Sequence, residues 1–225
     1  MAAMPFLATD GGRLFYERRG VPHGSPVLFL HGLGSASSDW SLQVPAFEIR
    51  HPVVLVDLPG HGQSMPTNQS LSIDRMAADI ATLLAMRDEP PVHLVGLSLG
   101  GCIALALALA APARVRSLTL VNAFARLRPT DARALLRMLT RATLLAAAPM
   151  RVVAAHVARG LFPRPDQRDL YIAAVASLSR TPRTVYARTA RALLAFDVAA
   201  RLGEVKHPTL VVAGACDLTV PLRAK

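Results

Sequence analysis

The sequence predicts an α/β protein: an open, mostly parallel sheet with helices on both faces. Three observations carry this prediction. Short, continuously apolar runs recur at 26–30, 53–56, 92–97, 118–121 and 209–213, and runs so uniformly apolar suit strands covered on both faces. Segments with helical spacing fill the gaps between them. The alternation of the two implies a layered sheet with right-handed crossovers.

The elements follow in chain order. Residues 6–9, Asp10-Gly11-Gly12 and residues 13–19 read as strand, tight turn and strand, a hairpin ahead of the parallel part. The run at 26–30 ends at His31-Gly32-Leu33-Gly34, and the run at 53–56 ends at Asp57-Leu58-Pro59-Gly60-His61-Gly62. Ser72 then suits a helix N-cap, with Asp74 in the first turn. Ile73, Met76, Ala77, Ile80, Leu83 and Leu84 share one face of that helix, which ends near Asp88, before Pro90-Pro91. The run at 92–97 leads into Gly96-Leu97-Ser98-Leu99-Gly100-Gly101 and a small-residue helical run at 102–111.

The rhythm breaks at 123–201, where one helix should suffice before the next strand. This stretch reads as several helices, among them 130–145 and 187–194, separated by Pro149, Pro163, Pro165 and Pro182. It is large enough to cover the sheet's carboxyl edge. The expected organisation is therefore a core at 1–125, a helical cap at 126–201, and the core continued but incomplete at 202–225.

Composition bounds the function. A chain of 225 residues with 52% hydrophobic and 5% aromatic content is of single-domain size with an aliphatic core. The apolar run at 103–111 is too short to span a bilayer. Residues 1–5 carry no basic region followed by an apolar stretch, so the expected location is the cytoplasm. Cys102 and Cys216 are too few for a disulfide framework and read as buried thiols. The formal net charge of +10 sits wholly in 126–201, which holds 14 arginines and 4 acids. Two readings of that excess stand: a solvated basic face, or attraction of an anionic substrate or acidic partner. No nucleic-acid module, metal constellation, P-loop or dinucleotide fingerprint is found, so neither cofactor nor metal is expected.

The motif around Ser98 carries the chemistry. A G-x-S-x-G between a strand and a helix lifts the serine hydroxyl out of the sheet, with a helix N-terminus behind it. The glycines make room for the strained backbone and for close strand–helix contact. Such a serine becomes a nucleophile when a histidine removes its proton. The N–H of the following residue, Leu99, is then one oxyanion donor.

Together with His31-Gly32-Leu33-Gly34, the 57–64 segment Asp57-Leu58-Pro59-Gly60-His61-Gly62-Gln63-Ser64, and Gly214-Ala215-Cys216-Asp217-Leu218-Thr219-Val220-Pro221, this elbow resembles the α/β-hydrolase superfamily. The likeness is greatest to its small capped serine esterases and lactonases, and the motifs run from about Met4 to the chain's end in the family's order. The resemblance implies an α/β-hydrolase fold, Ser98 as nucleophile, Leu33 N–H as the second oxyanion donor and Asp217 as the triad acid. It makes His31 a support for its loop and Asp57 part of a structural turn. Some relatives carry the acid one strand earlier, where this chain has Asn122. A serine at the elbow disfavours the dehalogenases and epoxide hydrolases, which use aspartate.

One part of the pattern is missing. The family order is serine, acid, histidine, and no histidine follows Asp217. We expect a C-terminally truncated form of a working hydrolase, lacking its last strand and helix, rather than a natural chain that has lost its base. The expected reaction is hydrolysis of a carboxylic ester or lactone through an acyl-serine, on a small-molecule substrate that is anionic or linked to a carrier protein if the arginines act on it. Two alternatives stay open: perhydrolysis or carbon–carbon bond hydrolysis on the same scaffold, and a non-catalytic ligand-binding fragment.

Overall fold

The computed structural model describes residues 5–9, 12–65, 70–129 and 131–215. Seven strands form one sheet: β1 (Phe6–Thr9), β2 (Gly12–Gly20), β3 (Val27–Leu30), β4 (Pro52–Val56), β5 (Val92–Leu97), β6 (Val115–Val121) and β7 (Thr209–Val212). The helices are α1 (Val44–Glu48), α2 (Ile73–Met86), α3 (Leu99–Ala110), α4 (Ala132–Ala147), α5 (Met150–Leu161), α6 (Arg168–Arg180) and α7 (Arg183–Ala195), with short 3-10 turns between them.

The strand order is β1-β2-β4-β3-β5-β6-β7. β1, β2 and β4 pair antiparallel, and every pair from β4 to β7 is parallel. The fold class read from the sequence is the one observed. Register explains why the motifs meet. Leu30 lies opposite Val56 and Gly96, and Val121 lies opposite Leu97 and Val212. The segments after β3, β4, β5, β6 and β7 therefore emerge along one edge, the carboxyl edge where ligands bind in open α/β sheets.

Alternation along the strands divides the core. Leu28, Leu30, Val54 and Val56 pack with Ile73, Met76, Ile80, Leu83 and Leu84 of α2 and with α3. Val27, Phe29, Val53 and Leu55 face the other way, against Trp40 and Val44. Ser72 caps α2 by accepting the Arg75 N–H at 3.1 Å. A third cluster, Val153, Ala154, Val157, Ala158, Leu178 and Tyr186, lies within the helical insertion, with Leu33 of the sheet edge packed against it.

Among the described residues, the stretch 126–201 holds four α-helices, α4 to α7. Two expectations change. β6 begins at Val115, three residues before its apolar run, because Val115 turns inward while Arg116 is exposed. β7 is exposed along its whole length, with Leu210 at 58% and Val211 at 56%. Its apolar run predicts coverage on both faces, but among the described residues it stands at the edge of the sheet, paired with β6. Among the described residues, no helix is long and apolar enough to cross a membrane.

Candidate active site

Ser98 sits between the last residue of β5 and the first of α3, with φ 50° and ψ −107°. A non-glycine residue in such a region costs about 1–3 kcal/mol and persists only where its surroundings impose it. Here the Ser98 N–H donates to the Val121 carbonyl at 2.8 Å, and the Ser98 carbonyl accepts the Cys102 N–H at 3.0 Å. The elbow is thus tied to β6 on one side and to α3 on the other. The glycines are needed for contact. A Cβ on Gly96 would stand 2.5 Å from the Gly100 carbonyl carbon, and one on Gly100 would collide with the Leu30 carbonyl.

Ser98 lines a cavity of about 460 Å³, together with Gly32, Leu33, Leu97 and Asn122 from the sheet edge. Arg141, Leu170 and Leu178 close it from the insertion. The lining is mostly apolar, and its charged members are Asp39 and Arg141. Leu99 is fully buried beneath it. Among the described residues, neither the Leu33 nor the Leu99 N–H donates to a backbone carbonyl; the latter opens a helix, where the first N–H groups have no internal acceptor.

The loop at 32–34 is gripped by the insertion. Gly34 has φ +79°, and a Cβ there would lie 2.7 Å from Leu178 and 2.9 Å from Tyr186. The Thr181 hydroxyl donates to the Gly34 carbonyl at 3.1 Å. The Asp39 carboxylate accepts from the Ser35 hydroxyl and, at 3.1 Å on both oxygens, from Ser177 of α6.

Asp217 and Cys216 lie outside the described residues. Three residues before Asp217, the Gly214 N–H donates to Asn122 Oδ1 at 2.8 Å. Asn122 directly follows β6, with φ 47°, and also donates its own N–H to the Val212 carbonyl. The position that some relatives give to the acid therefore holds the segment leading to Asp217.

All seven histidines are described, and none lines the cavity. His31 is fully buried; its Nε2 accepts the Leu58 N–H at 2.9 Å, so its Nδ1–H donates to Gly32 at 2.8 Å. Burial holds its pKa below the ordinary value. His61 donates from Nδ1 to Pro59 at 3.1 Å, and burial, with His31 beside it, pushes its pKa down to about 3. Both are neutral supports. Asp57 accepts from Ser37 and Gln63 N–H groups, each at 2.7 Å, which makes its segment a hydrogen-bonded turn. His93 contacts Ser117, and His207 contacts Pro112, both at strand starts. Cys102 is buried, with its thiol pushed up to about 12 by desolvation. No cluster of three metal-ligating side chains occurs among the described residues.

Sequence reasoning missed Asp39 and Arg141. Asp39 and Ser177 are far apart in the chain, and no local pattern joins them. Arg141 is one of 14 arginines between 126 and 201, and only the packing of α4 selects it.

A strand–serine–helix elbow at the carboxyl edge of a mostly parallel sheet, roofed by a helical insertion, defines an α/β-fold hydrolase. Residues 25–225 match the family model for the alpha/beta hydrolase fold, and the chain belongs to that family. It is 34% identical to an Azorhizobium caulinodans protein named as a carbamate hydrolase, RutD, over 97% of this chain and 82% of that one. It is 29% identical to 3-oxoadipate enol-lactonase 1 of Acinetobacter baylyi, over 92% of this chain and 77% of the relative. Among solved structures, a hydrolase from Pseudomonas aeruginosa PA01 superposes with a TM-score of 0.88 at 30% identity, covering 99% of this chain and 84% of that one.

Proposed function

We propose that the protein is a serine hydrolase of carboxylic esters or lactones, acting through an acyl-Ser98 intermediate beneath a lid formed by residues 126–201. The carrying observation is the strained Ser98, exposed to a mainly apolar cavity that it shares with the 32–34 loop. In this reading Ser98 Oγ attacks the carbonyl carbon while a base takes its proton. The oxyanion is received by the Leu33 and Leu99 N–H groups, each contributing about 3 kcal/mol to the barrier reduction. Collapse expels the alcohol or opens the lactone ring, and water then hydrolyses the acyl-enzyme. By the family resemblance, Asp217 is the acid that would orient and stabilise a histidine base.

These 225 residues place no histidine in the cavity, and loss of a triad histidine costs on the order of a millionfold in kcat. Ser98 should therefore react slowly with a fluorophosphonate probe and faster when imidazole is supplied in solution, with labelling abolished in Ser98→Ala. Labelling of a different residue, or a Ser98→Ala variant that labels like the parent, overturns the assignment. The likeness to RutD favours a second reading, carbamate hydrolysis by the same acyl transfer. An ester and a carbamate of one alcohol, compared under imidazole rescue, separate the two. The excess of arginine in the insertion supports an anionic or carrier-linked substrate; a flat response of kcat/KM to salt rejects electrostatic attraction.

A further inference from the structure

A second, smaller cavity of about 240 Å³ lies between α4 and α5 and is lined by Arg137, Met138, Arg141, His156, Val157, Arg159 and Gly160. Arg141 and Val157 line the Ser98 cavity as well, so the two spaces share a wall. Arg137 and Arg141 are one helical turn apart and present like charges to the same groove, an arrangement that works against the helix. His156 and Arg159 face it from the next helix. Neither α4 nor α5 contains an acidic residue. Among the described residues, none of these three arginines has a carboxylate within 4 Å, although Arg126, Arg128, Arg164 and Arg201 all do. Arg141 is half-buried and aimed by the buried Tyr186, whose hydroxyl accepts from its Nη2 and whose ring lies 5.2 Å from its guanidinium carbon. The carboxylate in the main cavity, Asp39, is already held by Ser35 and Ser177.

We propose that the Arg137–Arg141–Arg159 groove binds an oxyanion group carried by the substrate itself, a carboxylate or a phosphate, while the scissile carbonyl lies at Ser98. Guanidinium forks match both oxyanions. An oxyanion seated there replaces the repulsion among the arginines with charge-assisted hydrogen bonds, and Arg141 reads it from the wall common to both spaces. This inference rests on the ester or lactone reading for the position of the carbonyl, but the groove can be tested without turnover.

Calorimetric titration of the 225-residue chain with monomethyl adipate and with dimethyl adipate compares an anionic ester with its neutral counterpart. The monoester is expected to bind about tenfold tighter or better, the factor one charge-assisted hydrogen bond supplies. That preference should fall to near unity in Arg141→Gln and in Arg137→Gln/Arg159→Gln, the second pair being exposed positions that leave the fold intact. Competition by acetate but not by inorganic phosphate assigns a carboxylate; the reverse assigns a phosphate. Equal affinity for the two esters, no saturable binding of the monoester, or a preference that survives in both arginine variants overturns the proposal. Ser98→Ala is expected to keep the preference while losing fluorophosphonate labelling, so failure of the groove and failure of the serine assignment give different results.

Discussion

The two walls of the Ser98 cavity are built by different means. On the sheet side, the positions that matter are fixed by backbone: a strained serine, glycines that admit no Cβ, and N–H groups at a loop and a helix start. Outside residues 126–201 the chain is balanced in charge. On the insertion side, the lining is side chain, four helices rich in arginine and poor in acid. The contrast teaches that a main-chain wall tolerates few substitutions and keeps one geometry, whereas a side-chain wall can be re-specified residue by residue. The first suits a reaction centre, and the second suits selection of what reaches it.

The largest test of this contrast is acid. His61 is neutral in the folded sheet edge, with a pKa near 3, against an ordinary 6.5. Below pH 6.5 the unfolded chain binds a proton that the folded one does not, so stability is full above that pH and declines as pH falls toward 3. The expected loss at pH 4 is about 3 kcal/mol, with His31 adding in the same direction. Melting temperature measured from pH 7.5 to 4 should drop steeply, and His61→Asn should flatten the drop. An unchanged profile in that variant would move the acid sensitivity away from the sheet edge.

A smaller effect is expected from Gly100→Ala, whose Cβ meets the Leu30 carbonyl. Overpacking of this kind costs about 1–3 kcal/mol. The control is Gly203→Ala, beyond the insertion, where nothing lies within 4 Å of the new methyl; its change in urea midpoint should correspond to less than about 0.5 kcal/mol. Similar losses at the two sites would remove the distinction between a backbone-limited wall and its surroundings.

The smallest effect probes the seam between the walls. Thr181→Val deletes the hydroxyl that donates to Gly34 and leaves that carbonyl without its donor, a loss of about 1 kcal/mol. Unfolding followed by Trp40 fluorescence reports the sheet, since this is the chain's one tryptophan and it packs in the core. Far-UV circular dichroism reports all helices. Coincident shifts in both signals indicate one cooperative unit; a shift in circular dichroism alone indicates that the insertion melts by itself.

What the sequence discloses follows the same divide. The hairpin, the Ser72 cap and the elbow are legible because each depends on local chemistry: a turn, a capping oxygen, glycines at fixed spacing. The position of Ser98 in a cavity with Leu33 follows from strand register, which the apolar runs specify. Arg141 is illegible because its direction depends on how α4 lies against Tyr186, 45 residues away.

Tyr186 belongs to both walls. Its ring presses on Gly34, and its hydroxyl holds Arg141. Under the roles proposed for Ser98 and Arg141, selectivity and turnover are entangled in one phenol, and an engineer who trades Arg141 for a new specificity will disturb the loop beside Ser98. Libraries at position 141 should be screened for rate as well as for affinity, and paired changes at 141 and 186 should outperform either alone.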